Sequence, residues 1–137
     1  MRKLKDMKDR YKDSSGIRGN LIIYNVYIRN LDNFELGLTV INPGNINGEY
    51  FMTKGHRHKK KSEEIYILRK GKGKLLLEGK KSQIVDMKNG EIYIIPGNSG
   101  HRLINTGNKK MEVLTVYNRN AGHDYNFKFR RRVLKKR

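Results

Sequence analysis

Thr53-Lys54-Gly55-His56-Arg57-His58, followed by Lys59-Lys60-Lys61-Ser62-Glu63-Glu64-Ile65-Tyr66, is the stretch from which the rest of the chain can be read. Two histidines stand one residue apart, and a carboxylate follows a few residues on. On an extended strand, side chains two apart point to the same face, so His56 and His58 project together. A returning strand brings Glu64 onto that face. Two imidazoles and a carboxylate converging in this way make most of a metal site.

On either side the chain breaks into short β-rich runs, at 21–29, 35–41, 49–56, 62–70, 74–78, 83–86, 91–95, 101–105 and 111–118. Between them lie turn formers such as Asn42-Pro43-Gly44, Gly71-Lys72-Gly73, Lys88-Asn89-Gly90, Pro96-Gly97-Asn98 and Thr106-Gly107-Asn108. Many short strands with regular turn signals predict an antiparallel sandwich or barrel. Ahead of them, Leu4, Met7 and Tyr11 sit at helical spacing among charged residues, which predicts one short amphipathic helix ended by Ser14-Ser15-Gly16. The expected organisation is an N-terminal helical segment at 1–16, a barrel at 17–126 and a basic tail at 127–137. Seven of the last ten residues are basic, and the tail reads as a solvated, charged segment.

Composition bounds the chemistry. The 137 residues suit one domain, and with 36% apolar and 32% charged residues its core must be small. No apolar run approaches the ~20 residues that span a bilayer. Met1-Arg2-Lys3-Leu4-Lys5-Asp6 has no apolar segment behind it, so no secretory signal is expected and a cytoplasmic location is. The absence of cysteine excludes disulfides, thiolate metal sites and thiol catalysis. A formal net charge of +18 points to an anionic partner: nucleic acid, a membrane surface or phosphorylated metabolites. A lysine-rich solvated surface accounts for the charge equally well.

A second stretch, Gly90-Glu91-Ile92-Tyr93-Ile94-Ile95-Pro96 continuing to His101-Arg102-Leu103-Ile104-Asn105, would carry His101 back beside the first on a returning strand. Together the two stretches resemble the paired motifs of the cupin superfamily. The first requires a glycine after six residues from the glutamate, and Gly71 stands there counted from Glu64, not from Glu63. The second is matched by Gly90, Pro96, His101 and Asn105, with Asn98 where a glycine is usual. The resemblance implies an all-β jelly-roll barrel with His56, His58, Glu64 and His101 around one divalent metal ion. Fe(II) is the first choice. A sulfur-free set of three imidazoles and a carboxylate also suits Mn(II), Ni(II) or Zn(II).

A narrower resemblance rests on Gly48-Glu49-Tyr50-Phe51-Met52-Thr53-Lys54-Gly55-His56-Arg57-His58 together with Ala121-Gly122-His123-Asp124-Tyr125. These strings, with Thr39-Val40-Ile41-Asn42-Pro43-Gly44 and Glu64-Ile65-Tyr66, are similar to the cupin-type, or archaeal-type, glucose-6-phosphate isomerases up to Tyr125. The resemblance implies that Tyr24, Thr39, Thr53, Gly55 and Tyr66 bind the sugar phosphate. It places His123 and Tyr117 beside the metal, and it implies a glycolytic and gluconeogenic isomerase that works as a homodimer. Hydroxyls and a glycine N–H are suitable phosphate donors, which agrees with the residues alone. Glu64 is the candidate to shuttle the proton between C2 and C1, with His123 or Tyr117 assisting ring opening or the O1/O2 proton transfer. A cis-enediolate and a hydride shift both remain open as routes. Asn126 departs from the family glycine after His-Asp-Tyr, which leaves the pocket lid and dimer contacts open. The rival readings are another sugar-phosphate cupin enzyme, or a non-catalytic metal-binding cupin that binds sugar phosphate or nucleic acid. The tail offers only Phe127 and Phe129 for base stacking, so nucleic acid is not the expected partner.

Overall fold

The computed structural model describes residues 1–136, and it is built almost entirely of antiparallel strands. They run β1 (Arg2–Lys3), β2 (Ile22–Asn30), β3 (Phe34–Ile41), β4 (Asn45–Ile46), β5 (Glu49–Tyr50), β6 (Glu64–Lys70), β7 (Gly73–Glu78), β8 (Ser82–Asp86), β9 (Ile92–Ile95), β10 (Gly100–Asn105) and β11 (Met111–Asn118). The large sheet has the order β1-β2-β3-β11-β6-β9, and the smaller one has the order β10-β7-β8. The long jumps between sequence order and sheet order fold the two sheets over a shared core, as the jelly-roll reading expects. Alternation decides which side chains face inward. On β11 these are Val113, Thr115 and Tyr117, and on β6 Glu64, Tyr66 and Leu68. At the centre Ile41, Leu68, Leu75, Leu76, Ile95, Met111 and Val113 are sealed from solvent.

Two expectations change in form. The helix expected near the N-terminus is realised as two single 3-10 turns, Leu4–Asp6 and Lys8–Arg10, preceded by β1. The apolar face is the expected one, since Leu4, Met7 and Tyr11 are all buried. Residues i and i+3 of a 3-10 turn share a face, so three apolar residues at this spacing are satisfied without an α-helix. The run expected as one strand at 49–56 is a strand only at β5. Beyond it the chain follows β10 through isolated bridges, Met52 to Ile104 and His56 to His101. Gly55, at φ +77°, takes it out of the extended conformation.

The C-terminal segment is docked through its backbone and through Phe127, Phe129 and Val133, while its described basic residues stay exposed. Tyr50 N–H donates to Val133 O at 3.2 Å, and Lys135 N–H to Gly48 O at 2.6 Å. The Arg130 and Arg131 amides donate to the buried Glu78 carboxylate at 2.6 and 3.0 Å. Arg132 Nη1 pairs with the buried Glu49 carboxylate at 3.0 Å. All six residues of β10 are buried, because one face meets the core and the other meets this returning segment. Phe127 lies against Gly100, and Phe129 lies against Gly55 and Arg102.

Candidate metal centre

His56 and His58 come from the irregular stretch that runs beside β10, His101 from β10 itself, and Glu64 from the first residue of β6. Reciprocal backbone hydrogen bonds between His56 and His101, 3.2 and 2.9 Å, fix the register that sets their rings together. One ligating atom from each of His56, His58, Glu64 and His101 lies within 4.8 Å of all the others. The Nε2 atoms of His101 and His58 stand 2.8 and 3.1 Å from Glu64 Oε2, and the His101 and His56 Nε2 atoms are 3.1 Å apart.

The opposite ring nitrogens explain this orientation. His58 Nδ1 faces the Ser62 carbonyl at 3.0 Å, and His101 Nδ1 faces that of Ser99 at 3.3 Å. A carbonyl can only accept, so each Nδ1 carries the proton and each Nε2 turns a lone pair toward Glu64. The result is a buried knot of acceptors. His58 Nε2 and Glu64 Oε2 approach each other closely but make no aligned hydrogen bond. Buried polar atoms without partners are costly, and a cation between these four residues satisfies them all. A divalent metal ion fits the site.

Protonation agrees. Burial, with the neighbouring His101 acting in the same direction, pushes the His56 imidazole down to about 2, so it is a neutral donor at neutral pH. Burial works against the Glu64 charge, and in the metal-free chain a proton on the His101 or His58 Nε2, donated to the carboxylate, outweighs it and brings the carboxyl to about 2. His58 is opposed by burial too, and Glu64 nevertheless raises it. Neutral imidazole and ionised carboxylate are the forms that bind a metal.

Above the cluster opens a cavity of about 420 Å³. Tyr24, Thr39, Thr53, Gly55, Tyr66, Tyr117 and His123 all line it, together with His56, Glu64 and His101, while His58 sits behind the wall. The Thr53 hydroxyl accepts from Leu103 N–H at 3.0 Å and that of Tyr24 from Lys54 N–H at 3.1 Å. Each therefore keeps its own O–H proton for a ligand. The His123 ring lies 4.3 Å from that of His56, and Tyr117 lies 5.4 Å from His123. Tyr117 donates its hydroxyl proton to Glu35. Burial, and then Glu35, pushes the Tyr117 hydroxyl up, while burial pushes His123 down.

The family description "Glucose-6-phosphate isomerase (GPI)" matches residues 18–135. The chain belongs to the glucose-6-phosphate isomerase family. A curated relative from Thermococcus litoralis, named glucose-6-phosphate isomerase, is 37% identical over 137 residues, covering 91% of this chain and 72% of that one. Among solved structures, the formate complex of Lactobacillus farciminis oxalate decarboxylase superposes with a TM-score of 0.60 at 22% identity, over 74% of this chain and 30% of that one. A Cupin 2 conserved barrel domain protein from Salinispora arenicola gives 0.53 at 17%, over 69% and 74%. At such identities these two show the fold alone, and the fold is the cupin barrel.

The family match extends past Tyr125 into the basic segment, further than the quoted strings reach. Arg2, Glu35, Thr115 and Tyr125 also line the cavity, and none of them was assigned a site role from the sequence. Arg2 belongs to an N-terminal string, Arg2-Lys3-Leu4-Lys5-Asp6-Met7, that resembles the family but was read as helix; in β1 it pairs with Tyr24 and reaches the cavity. Tyr125 stands two residues after His123 in the Ala-Gly-His-Asp-Tyr string, and that proximity was its only signal. Its ring lies under Arg2 and Lys54, at 5.7 and 5.4 Å. Glu35 and Thr115 are visible only once β3 and β11 are paired.

Proposed function

We infer that the chain is a metal-dependent aldose–ketose isomerase that interconverts glucose 6-phosphate and fructose 6-phosphate. The observation that carries this is the shared cavity. The family's metal cluster and a hydroxyl wall rich in Thr and Tyr open onto one space of a sugar phosphate's size.

His56, His58, Glu64 and His101 would hold the ion, and Fe(II) is the proposed native metal. Bound there, a divalent ion supplies Lewis-acid stabilisation of the charge that develops on O1 and O2. Tyr24, Thr39, Thr53, Tyr66 and the Gly55 N–H grip the phosphate, and Arg2 and Lys54 add positive charge at that end. Glu64, ionised and at the cavity floor, takes the proton from C2 and returns it at C1. His123 is neutral at neutral pH and can accept a hydroxyl proton during ring opening. Tyr117, whose hydroxyl proton goes to Glu35, presents its oxygen as an acceptor to a sugar hydroxyl on the same path.

A homodimer is part of the proposal, and the outer face of the large sheet supports it. Cross-strand register aligns Tyr27, Leu38, Leu114, Ile67 and Ile92 in one row across five strands. Leu36, Val116, Ile65 and Ile94 form a second row beside it. Tyr27, Ile92 and Ile94 are each about 60% exposed, an apolar band that a second copy would cover. A cytoplasmic location is part of the same proposal, and it is consistent with substrates that do not cross a bilayer unaided.

A coupled isomerase assay on chelated protein, with Fe(II), Mn(II), Ni(II) and Zn(II) added back in turn, tests the reading. Activity should vanish on chelation and return with a divalent ion, most strongly with Fe(II). A correctly folded protein that no metal activates would instead be a binding module.

A further inference from the structure

A second cleft, of about 570 Å³, lies on the side of the barrel where the C-terminal segment returns, and it shares no lining residue with the catalytic cavity. Its walls carry Arg10, Arg102, Lys128, Arg131 and Arg132 against a single carboxylate, Asp9. Such a ratio concentrates positive charge in one cleft, where like charges repel unless an anion answers them.

The guanidinium groups are held in place by backbone carbonyls. Arg102 is only 5% exposed, and its Nε and Nη2 donate to the carbonyls of Thr53 and Lys54 at 3.1 and 2.8 Å. Phe129 supports the plane from below at 4.2 Å. Among the described residues, Arg102 Nη1 has no partner within the chain. Arg10 is anchored by the Tyr125 carbonyl at 2.6 Å, yet its buried Nε lacks a hydrogen bond, Asp9 at 3.3 Å being misaligned. Arg132 spends Nη1 on Glu49. The side chains of Lys128 and Arg131 make no hydrogen bond or ion pair among the described residues. Burial, followed by the nearby Arg10, lowers Arg102 to about 10, which records the crowding but leaves it charged at neutral pH.

We propose that this cleft is a second anion site, which takes a small metabolite carrying more than one phosphoryl group. Phosphoryl oxygens match the planar forks of Arg10 and Arg102, and four or five clustered cations call for more than one negative charge. A cleft of about 570 Å³ is of a metabolite's size. Nor is there a stacking platform for bases, because Phe127 packs on Gly100 and Phe129 under Arg102. The site is independent of the isomerase reading, since none of its residues lines the cavity above the histidine cluster.

Fructose 1,6-bisphosphate is a suitable probe, titrated calorimetrically into metal-loaded protein. The parent should show two sites per chain. Lys128→Gln with Arg131→Gln should weaken one of them at least about tenfold, the loss expected for removed charge-assisted contacts, and leave kcat unchanged. Thr53→Ala should weaken the other site and spare this one. A single site that the Lys128/Arg131 variant does not alter overturns the proposal. So does a single-stranded oligonucleotide that binds more tightly than the bisphosphate and is lost in the same variant, because that describes an open polyanion surface.

Discussion

Gly55→Ala offers a sharp test of how the C-terminal segment is coupled to the metal centre. Gly55 sits at φ +77°, immediately before His56, and a Cβ built there falls 2.6 Å from the Phe129 ring and 3.1 Å from Arg102 Nε. Two costs arise separately. A non-glycine residue in the left-handed region costs about 1–2 kcal/mol. Forcing a methyl group into packed contact costs a further ~1–3 kcal/mol. Gly55→Ala should therefore remove about 2–5 kcal/mol, a large part of the ~5–15 kcal/mol that holds a domain together. In a Phe129→Ala background the ring is gone, and the same substitution should cost little more than the conformational ~1–2 kcal/mol, the remaining contact being Arg102 Nε at 3.1 Å. Urea unfolding of the four proteins of this cycle, at matched metal loading and with unchanged m-values, measures the coupling directly. Equal costs of Gly55→Ala in both backgrounds would refute the packing of Phe129 on this glycine. Apparent metal affinity should follow the same pattern, because a displaced Gly55 moves His56.

Glu64→Gln should lower kcat by about two to four orders of magnitude, the range of a lost acid–base group, with binding of the sugar phosphate largely kept. Near-normal turnover in metal-replete assays would remove Glu64 from the proton path. Thr53→Ala should chiefly raise KM. It also strips the acceptor from Leu103 N–H, so about 1 kcal/mol of stability should go with it in a melt, and an unchanged KM would take Thr53 out of the phosphate wall. For the metal-free protein the pH dependence follows from two depressed groups. His56 falls from 6.5 to about 2 and Glu64 from 4.5 to about 2, so the unfolded chain binds more protons throughout both windows. Their stabilisation is complete above 6.5 and is lost as pH falls, while the raised His58 contributes with the opposite sign. Thermal midpoints of chelated protein should drop between pH 6.5 and 4.5, and a flat or rising profile would contradict the buried cluster.

The cluster itself was legible because its chemistry is local in sequence. His56 and His58 are neighbours, and the spacing to Gly71 chooses Glu64 over Glu63; in the structure Glu64 is buried and Glu63 exposed. Strand positions were legible for the same reason, since alternation and turn residues are short-range signals. The N-terminus gave its buried face and not its backbone, because Leu4, Met7 and Tyr11 satisfy a 3-10 pair as well as an α-helix. The apolar band across the large sheet needed the register of five strands before its residues could be seen as neighbours.

The C-terminal segment was the least legible part, and the reason lies far upstream. Glu49 and Glu78 are only 2% and 1% exposed, and a carboxylate so deep must find donors or destabilise the fold. Glu49 finds the Arg132 guanidinium and the Lys12 amide. Glu78 finds the Arg130 and Arg131 amides and the Ser82 hydroxyl. Most of these donors lie on a segment that composition alone describes as a solvated basic run. Two of the five are backbone N–H groups of arginines, which no count of charges reveals. The same docking brings Phe127 and Phe129 onto Gly100 and Gly55, each next to a proposed metal ligand. Undocking the segment would therefore strand two buried carboxylates and open the outer side of the metal strands in one step. The basic run thus acts as the outer wall of the barrel end that holds His56 and His101, and its excess charge collects in the cleft between Arg10 and Arg131.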